Sequence, residues 1–253
     1  MDIFRLAGDS CHGFAIFFLI SFMIGCKSCC GISGKSQLLF FLVYTTRYLD
    51  LLFNFVSVYN TIIKIHYISL TAATAVTIFC IFIFYRKTYQ WKDDTFLTEI
   101  LIVPSMILAV TINHENTPTK ILWTFSIYLE ALAIIPQFYM ILKTKMLTKH
   151  VLIYLVALGL YRTFYIPNWI YRYLSEGHYD EIADSAGIAY VLIYLFGAVA
   201  MFCIGVKMMD FSKNMLQKNI FFISSTTMPA DRLNGDYDQL VEEKTSVKAD
   251  IEK

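Results

Sequence analysis

Phe41-Leu-Val-Tyr-Thr-Thr-Arg47-Tyr-Leu-Asp50-Leu-Leu-Phe53 sets an arginine and an aspartate in the middle of a run that otherwise reads as bilayer-spanning helix. A charged side chain at that depth costs at least about 2.5–3.5 kcal/mol on insertion scales, so it faces a bundle interior or a watery cavity and marks a pathway or a binding site. Arg47 is therefore a candidate functional residue. Asp50 lies three residues on and shares its helical face. A self-neutralising pair that only helps helices pack is the alternative, and polar groups recurring at matching depths elsewhere in the chain favour the site.

The chain around this stretch has 253 residues, 57% of them hydrophobic and 16% charged, with a mean hydropathy of +0.55. That is too apolar for a soluble domain of this length and implies an all-α, polytopic membrane protein. The formal net charge of +1, with basic residues scattered through short loops, gives no sign of nucleic-acid binding. Of the six cysteines, Cys80 and Cys203 fall inside apolar runs, and Cys26-Lys-Ser-Cys29-Cys30 lacks the histidine or second pair that a metal site needs. No metal or other cofactor is expected, and no nucleophile–base–orienter set marks an enzyme.

Seven apolar spans are predicted: Ile3 to Ile24, Ser36 to Tyr59, Ile62 to Tyr85, Phe96 to Ile112, Ile121 to Leu142, His150 to Leu174 and Ala186 to Met209. The first is not read as a signal peptide, because Asp2 and Asp9 precede its core while Lys27 and Lys35 follow it. Basic residues accumulate in alternate loops: Lys27 and Lys35; Arg86, Lys87 and Lys92; Lys143, Lys145 and Lys149; Lys207, Lys213 and Lys218. Lys and Arg collect on the cytoplasmic side, which places the N-terminus on the extracytoplasmic side and the C-terminus in the cytosol. Residues 1–209 form the transmembrane domain, and the polar, acidic-leaning 210–253 is a cytosolic tail expected to be disordered. An odd span count with this polarity fits two parallel three-helix halves joined by the fourth helix, the plan of SWEET and PQ-loop transporters. Arg47 and Arg162 then occupy similar depths in the second helix of each half, and Pro136-Gln137 is the dipeptide that gives PQ-loop proteins their name.

Depth follows from residue counts. Arg5, Lys120 and Arg172 lie near the luminal mouth, Arg47, Tyr161, Arg162 and Glu130 near mid-membrane, and His12, Asp50, Trp123, Tyr165, Asn168 and Trp169 between. Arg162 to Arg172 is about 15 Å along a helix axis, and an extended tetrapeptide covers about 13 Å. Arginine forks grip carboxylates bidentately, so Arg47, Arg5 and Arg172 around one cavity suggest a ligand with several carboxylates. Taken singly, Arg5 and Arg172 also suit snorkelling to the interface, Trp123 and Trp169 an interfacial belt, and His12 a packed histidine.

These residues sit in blocks that resemble the KDEL receptors, the ER lumen protein-retaining receptor family: Ile3-Phe-Arg-Leu, Gly31-Ile-Ser-Gly-Lys-Ser-Gln-Leu-Leu, Thr45-Thr-Arg-Tyr-Leu-Asp-Leu51, Ile121-Leu-Trp-Thr-Phe-Ser-Ile-Tyr-Leu-Glu130, Leu158-Gly-Leu-Tyr-Arg162 and Asn168-Trp-Ile170. The resemblance covers about residues 1–205. It implies a receptor of the endoplasmic reticulum and Golgi that captures escaped luminal proteins by a C-terminal Lys/His-Asp-Glu-Leu tetrapeptide in acid, releases them at neutral pH, and returns them by COPI-type retrograde vesicles. Arg47 with Tyr48 would hold the terminal carboxylate, and Arg5 and Arg172 would pair with the two acidic side chains. Asp50 and Trp123 would shape the pocket for the first signal residue, His12, Tyr161 and Glu130 would sense protons, and Tyr165, Asn168 and Trp169 would line the cavity. Alternatives are a small-solute transporter of the SWEET type and a divergent receptor for a different C-terminal tail.

The chain departs from the family at three places. Lys120 stands where the family has a glutamate, so the preferred first signal residue is expected to be neutral or acidic. Tyr194-Leu-Phe196 replaces Tyr-x-Asp in the last helix. The long tail ends without a dilysine coat signal, leaving Lys207, Lys213 and Lys218 as candidate coat contacts and Tyr237-Asp-Gln-Leu240 as a candidate adaptor motif.

Overall fold

A computed structural model describes residues 3–47, 58–113, 116–176, 185–200 and 202–203. The chain divides into Met1–Met201 and Phe202–Lys253, and nearly all described residues belong to the first unit. Among them the secondary structure is helical. In chain order the helices are α1 (Ile3–Cys26), α2 (Gly34–Arg47), α3 (Val58–Phe79), α4 (Glu99–Thr111), α5 (Pro118–Leu132), α6 (Ile135–Thr144), α7 (Lys149–Glu176) and α8 (Ser185–Ala200).

Four stretches are long and apolar enough to cross a membrane: Ile3–Cys26, Ile65–Phe84, Pro118–Thr144 and Lys149–Tyr171. They match the first, third, fifth and sixth predicted spans. The second is described only as far as Arg47, and the fourth and seventh correspond to the shorter apolar helices α4 and α8. α1 packs most extensively on α7 and α2 on α5, while α3 lies against α1 and α2, and α4 against α5. Several threonine and serine hydroxyls within the spans turn back onto their own helices, as Thr74 does to Leu70 O at 2.8 Å, so these need no outside partner.

The fifth span is two helices. Pro136 has no N–H to continue the ladder, and the chain turns at Ala133 and Ile134 before restarting as α6. The Ser36 hydroxyl repairs the break: it donates to Ala133 O at 2.7 Å and accepts from Gln137 N–H at 3.1 Å. Gln137 in turn accepts from Ser33 N–H at 2.8 Å and donates to Gly31 O at 2.8 Å. Gly31 has φ +83°, a conformation in which a side chain would be strained. Asp94 fixes the same loop from the other side, accepting from Ser33 Oγ at 2.9 Å, Lys35 N–H at 3.2 Å and Tyr89 OH at 2.6 Å. Burial, and then the Asp94 carboxylate, push the Tyr89 phenol above its ordinary range. The α1–α2 loop is thereby sewn to the segment after α3 and to the broken fifth span.

Candidate functional site

A single carboxylate gathers the interior polar groups. Glu130, on the last turns of α5, has a side chain only 2% exposed. Its Oε2 accepts from Arg47 of α2 and from Arg162 of α7, and its Oε1 accepts from the Tyr161 hydroxyl. The two arginine side chains are 12% and 14% exposed, so three charges share a nearly dry pocket. In such surroundings each charge needs a partner, because desolvation otherwise outweighs what an isolated pair gains.

Neighbouring groups hold the guanidiniums in place. Arg47 Nε–H donates to Ser126 Oγ at 2.9 Å, and that hydroxyl donates to Trp123 O at 2.5 Å, so one turn of α5 supplies both carboxylate and positioning hydroxyl. Arg162 Nε–H donates to the Tyr161 hydroxyl oxygen at 2.6 Å. Its guanidinium also lies over the rings of Tyr161, Tyr190 and Tyr165, at 5.0, 5.6 and 5.8 Å from their centroids, where a ring face attracts a cation.

His12 enters from α1. Its ring stacks on Tyr161 at 4.3 Å with an 11° interplanar angle, and its Nε2 shares a 2.6 Å hydrogen bond with Tyr44 OH. The proposed sensing trio of His12, Tyr161 and Glu130 is thus one contiguous cluster, and Arg47 is joined to it. Gly8, one turn earlier, faces the Tyr161 carbonyl and the Tyr165 ring, where a Cβ would lie 2.9 and 2.8 Å away; glycine is what lets α1 approach α7 this closely. Tyr165 OH then donates to Asp9 Oδ1 at 2.5 Å.

The other predicted residues lie further out. Asn168 is buried with Oδ1 unbonded, and the Trp169 ring sits 6.2 Å from that of Tyr165. Trp123 and Arg5 are half-buried, and Lys120 is exposed on the first turn of α5. Arg172 belongs to the final turns of α7. Tyr48 and Asp50 lie outside the described residues, as do Lys207, Lys213, Lys218 and the Tyr237 motif. Phe196 is 74% exposed on α8, whereas Tyr194 is buried and stacks on Tyr190 at 4.6 Å.

Arg162, Tyr44, Ser126, Asp9 and Tyr190 join the cluster without having been singled out as site residues from sequence. Arg162 carried a usable signal, since an arginine at Arg47's depth must also find an anion and Glu130 is at that depth. The hydroxyl-bearing residues carried none, because such side chains commonly satisfy themselves within a helix. Among the described residues no group of three or more histidine, cysteine, aspartate or glutamate side chains could hold a metal ion.

A profile of the family described as ER lumen protein retaining receptor matches residues 28–172. The chain is 46% identical over 197 residues to an ER lumen protein-retaining receptor of Drosophila melanogaster, and 50% identical over the same length to receptor 2 of Xenopus tropicalis and of Gallus gallus. Each alignment covers 77% of this chain and 90% of the relative.

Proposed function

The chain belongs to the ER lumen protein retaining receptor family, and from that premise we propose that it captures escaped ER proteins by their C-terminal acidic signals and carries them back from the Golgi. The observation that carries this reading is the Arg47–Glu130–Arg162 cluster with His12 packed on Tyr161. Two guanidiniums around one carboxylate leave an excess positive charge well inside the bundle, which suits a ligand that brings carboxylates of its own.

In this reading the signal enters from the lumen. Its terminal carboxylate reaches Arg47, whose fork Ser126 holds at a fixed angle, with Tyr48 beside it. Arg5 and Arg172 meet the two acidic side chains, Asp50, Trp123 and Lys120 surround the first signal residue, and Tyr165, Asn168 and Trp169 line the way. Protonated His12 adds a positive charge near the anionic ligand, so binding is favoured in acid and weakened as pH rises through histidine's ordinary range near about 6.5. The seven-span topology with a luminal N-terminus, the boundary near residue 209 and retrieval by a COPI-type coat through the tail belong to the same proposal.

A SWEET-type transporter would need a route opening at both ends. The bonding of Ser33, Ser36, Gln137 and Asp94 at the end away from the arginines weighs against it. The test is binding of peptides ending in Asp-Glu-Leu to detergent-purified protein at about pH 5.5 and about pH 7.2, which bracket histidine titration. Tighter binding in acid is expected; no binding at either pH, with sugar uptake into proteoliposomes, would favour the transporter.

A further inference from the structure

His66 lies on α3, two turns into the helix, and faces α1. Its Nε2 is buried with no hydrogen-bond partner. Its Cε1 lies 3.7 Å from where a Cβ on Gly13 would be, and its ring meets Tyr67 edge-on at 5.3 Å. Gly13 follows His12 directly. Counting about 1.5 Å per residue from Ile3 and from Val58, His12 and His66 sit about 13 and about 12 Å into their helices. The two imidazoles thus share one depth on facing helices, His66 against the residue next to His12.

An apolar side chain would fill the α1–α3 contact without stranding a ring nitrogen, so packing alone does not explain a histidine here. The ionisable groups on the two helices against α3 are Arg5, Asp9, Cys11 and His12 of α1, with Cys26 at its far end, and Tyr44 and Arg47 of α2, with Lys35 at its far end; Lys64 and Tyr67 are His66's ionisable neighbours in sequence on α3 itself. Glu130 and Arg162 lie beyond them in the central cluster. The two acids in this set, Asp9 and Glu130, are outnumbered by its three arginines, so a second imidazolium is tolerated only alongside an added anion. Linkage then works both ways: an anionic ligand favours protonation, and protonation favours the ligand.

Resting on the retrieval-receptor reading, we propose that His66 is a second proton-binding group of the luminal site, so that this chain takes up a proton at His66 as well as at His12 when it captures an acidic C-terminal peptide.

The test measures protons taken up per peptide bound, by calorimetry of the full-length protein in buffers of different ionisation enthalpy. It is run on the native protein, on His66→Gln, which keeps a hydrogen-bonding side chain that does not titrate, and on His66→Leu, which suits the apolar contact. The native protein should take up more than one proton. Either variant should take up fewer, by up to about one, with the pH dependence of affinity flattened by up to about tenfold per pH unit and affinity above histidine's range changed less than about twofold. An unchanged proton count in a variant that binds peptide overturns the assignment, as does a uniform loss of affinity at every pH, which would make His66 a packing residue. A native protein that binds no peptide, or binds with no proton uptake, overturns the receptor reading and this inference together.

Discussion

Arg47→Lys separates charge from geometry at the centre of the site. In the native protein the guanidinium spans Ser126 Oγ and Glu130 Oε2, so its plane is fixed before any ligand arrives. A lysine keeps the positive charge beside Glu130, and the fold should survive with little change in thermal midpoint. What it cannot supply is a second coplanar donor for a carboxylate. Losing one charge-assisted hydrogen bond costs about 1.5–3 kcal/mol, or about 10- to 150-fold in affinity. Amidating the peptide removes the partner charge instead, and at a side chain only 12% exposed should cost about 2–5 kcal/mol, about 30-fold or more. If the two changes remove one interaction, they should not add. Isothermal titration of free and amidated peptides against both proteins closes the cycle, and amidation should cost clearly less in Arg47→Lys. Full additivity would mean that Arg47 does not hold the terminal carboxylate.

Replacing His12 by alanine should weaken binding at about pH 5.5 and flatten the pH dependence, since histidine's charge change falls in that range; an unaltered pH profile would remove it from the sensing role. Lys120→Glu should shift preference toward peptides with a basic first residue, by several-fold and at most about tenfold because the position is exposed and screened; unchanged ranking of peptides differing only at that residue would show Lys120 to be a bystander. Cys29 is fully buried and burial pushes its thiol up, so less thiolate exists at any given pH. Maleimide should therefore label the exposed Cys26 first, with labelling of Cys29 displaced to alkaline pH, and equal rates at neutral pH would contradict the α1–α2 loop packing.

Much of this was legible in the sequence for one reason: a charge inside an apolar run must be answered, and the chain offers few answers. Arg47 announced a site, and Glu130 and Tyr161 could be placed at its depth by counting residues. What counting could not supply was pairing. Glu130, 83 positions away in the chain, receives Arg47. Arg162 was recognised as the counterpart of Arg47 without being given a partner, because sequence spacing says nothing about which faces of α5 and α7 meet. Pro136-Gln137 was visible as a motif, yet its effect depends on Ser36 reaching Ala133 O from another helix. His66 is, in the sequence, simply a polar residue near the start of an apolar span. Its bearing on α1 rests on a neighbouring glycine that carries no signal until the helices are placed side by side.

The helix pairing bears on the two-half architecture. If the first, second and third spans correspond to the fifth, sixth and seventh, exchanging the halves turns a contact between first and sixth into one between fifth and second. Those are the α1–α7 and α2–α5 packings. The same exchange carries Arg47 onto the neighbourhood of Arg162, and both reach the same carboxylate oxygen. The carboxylate itself has no such counterpart: Glu130 is on the fifth span, and at the corresponding depth the first span offers His12, stacked on Tyr161. On the proposed two-half plan, the frame holds two cations, one anion and one imidazole. In the proposed receptor a pH-dependent grip on an anion rests on that asymmetry, because a second carboxylate in place of His12 would neutralise both arginines at every physiological pH.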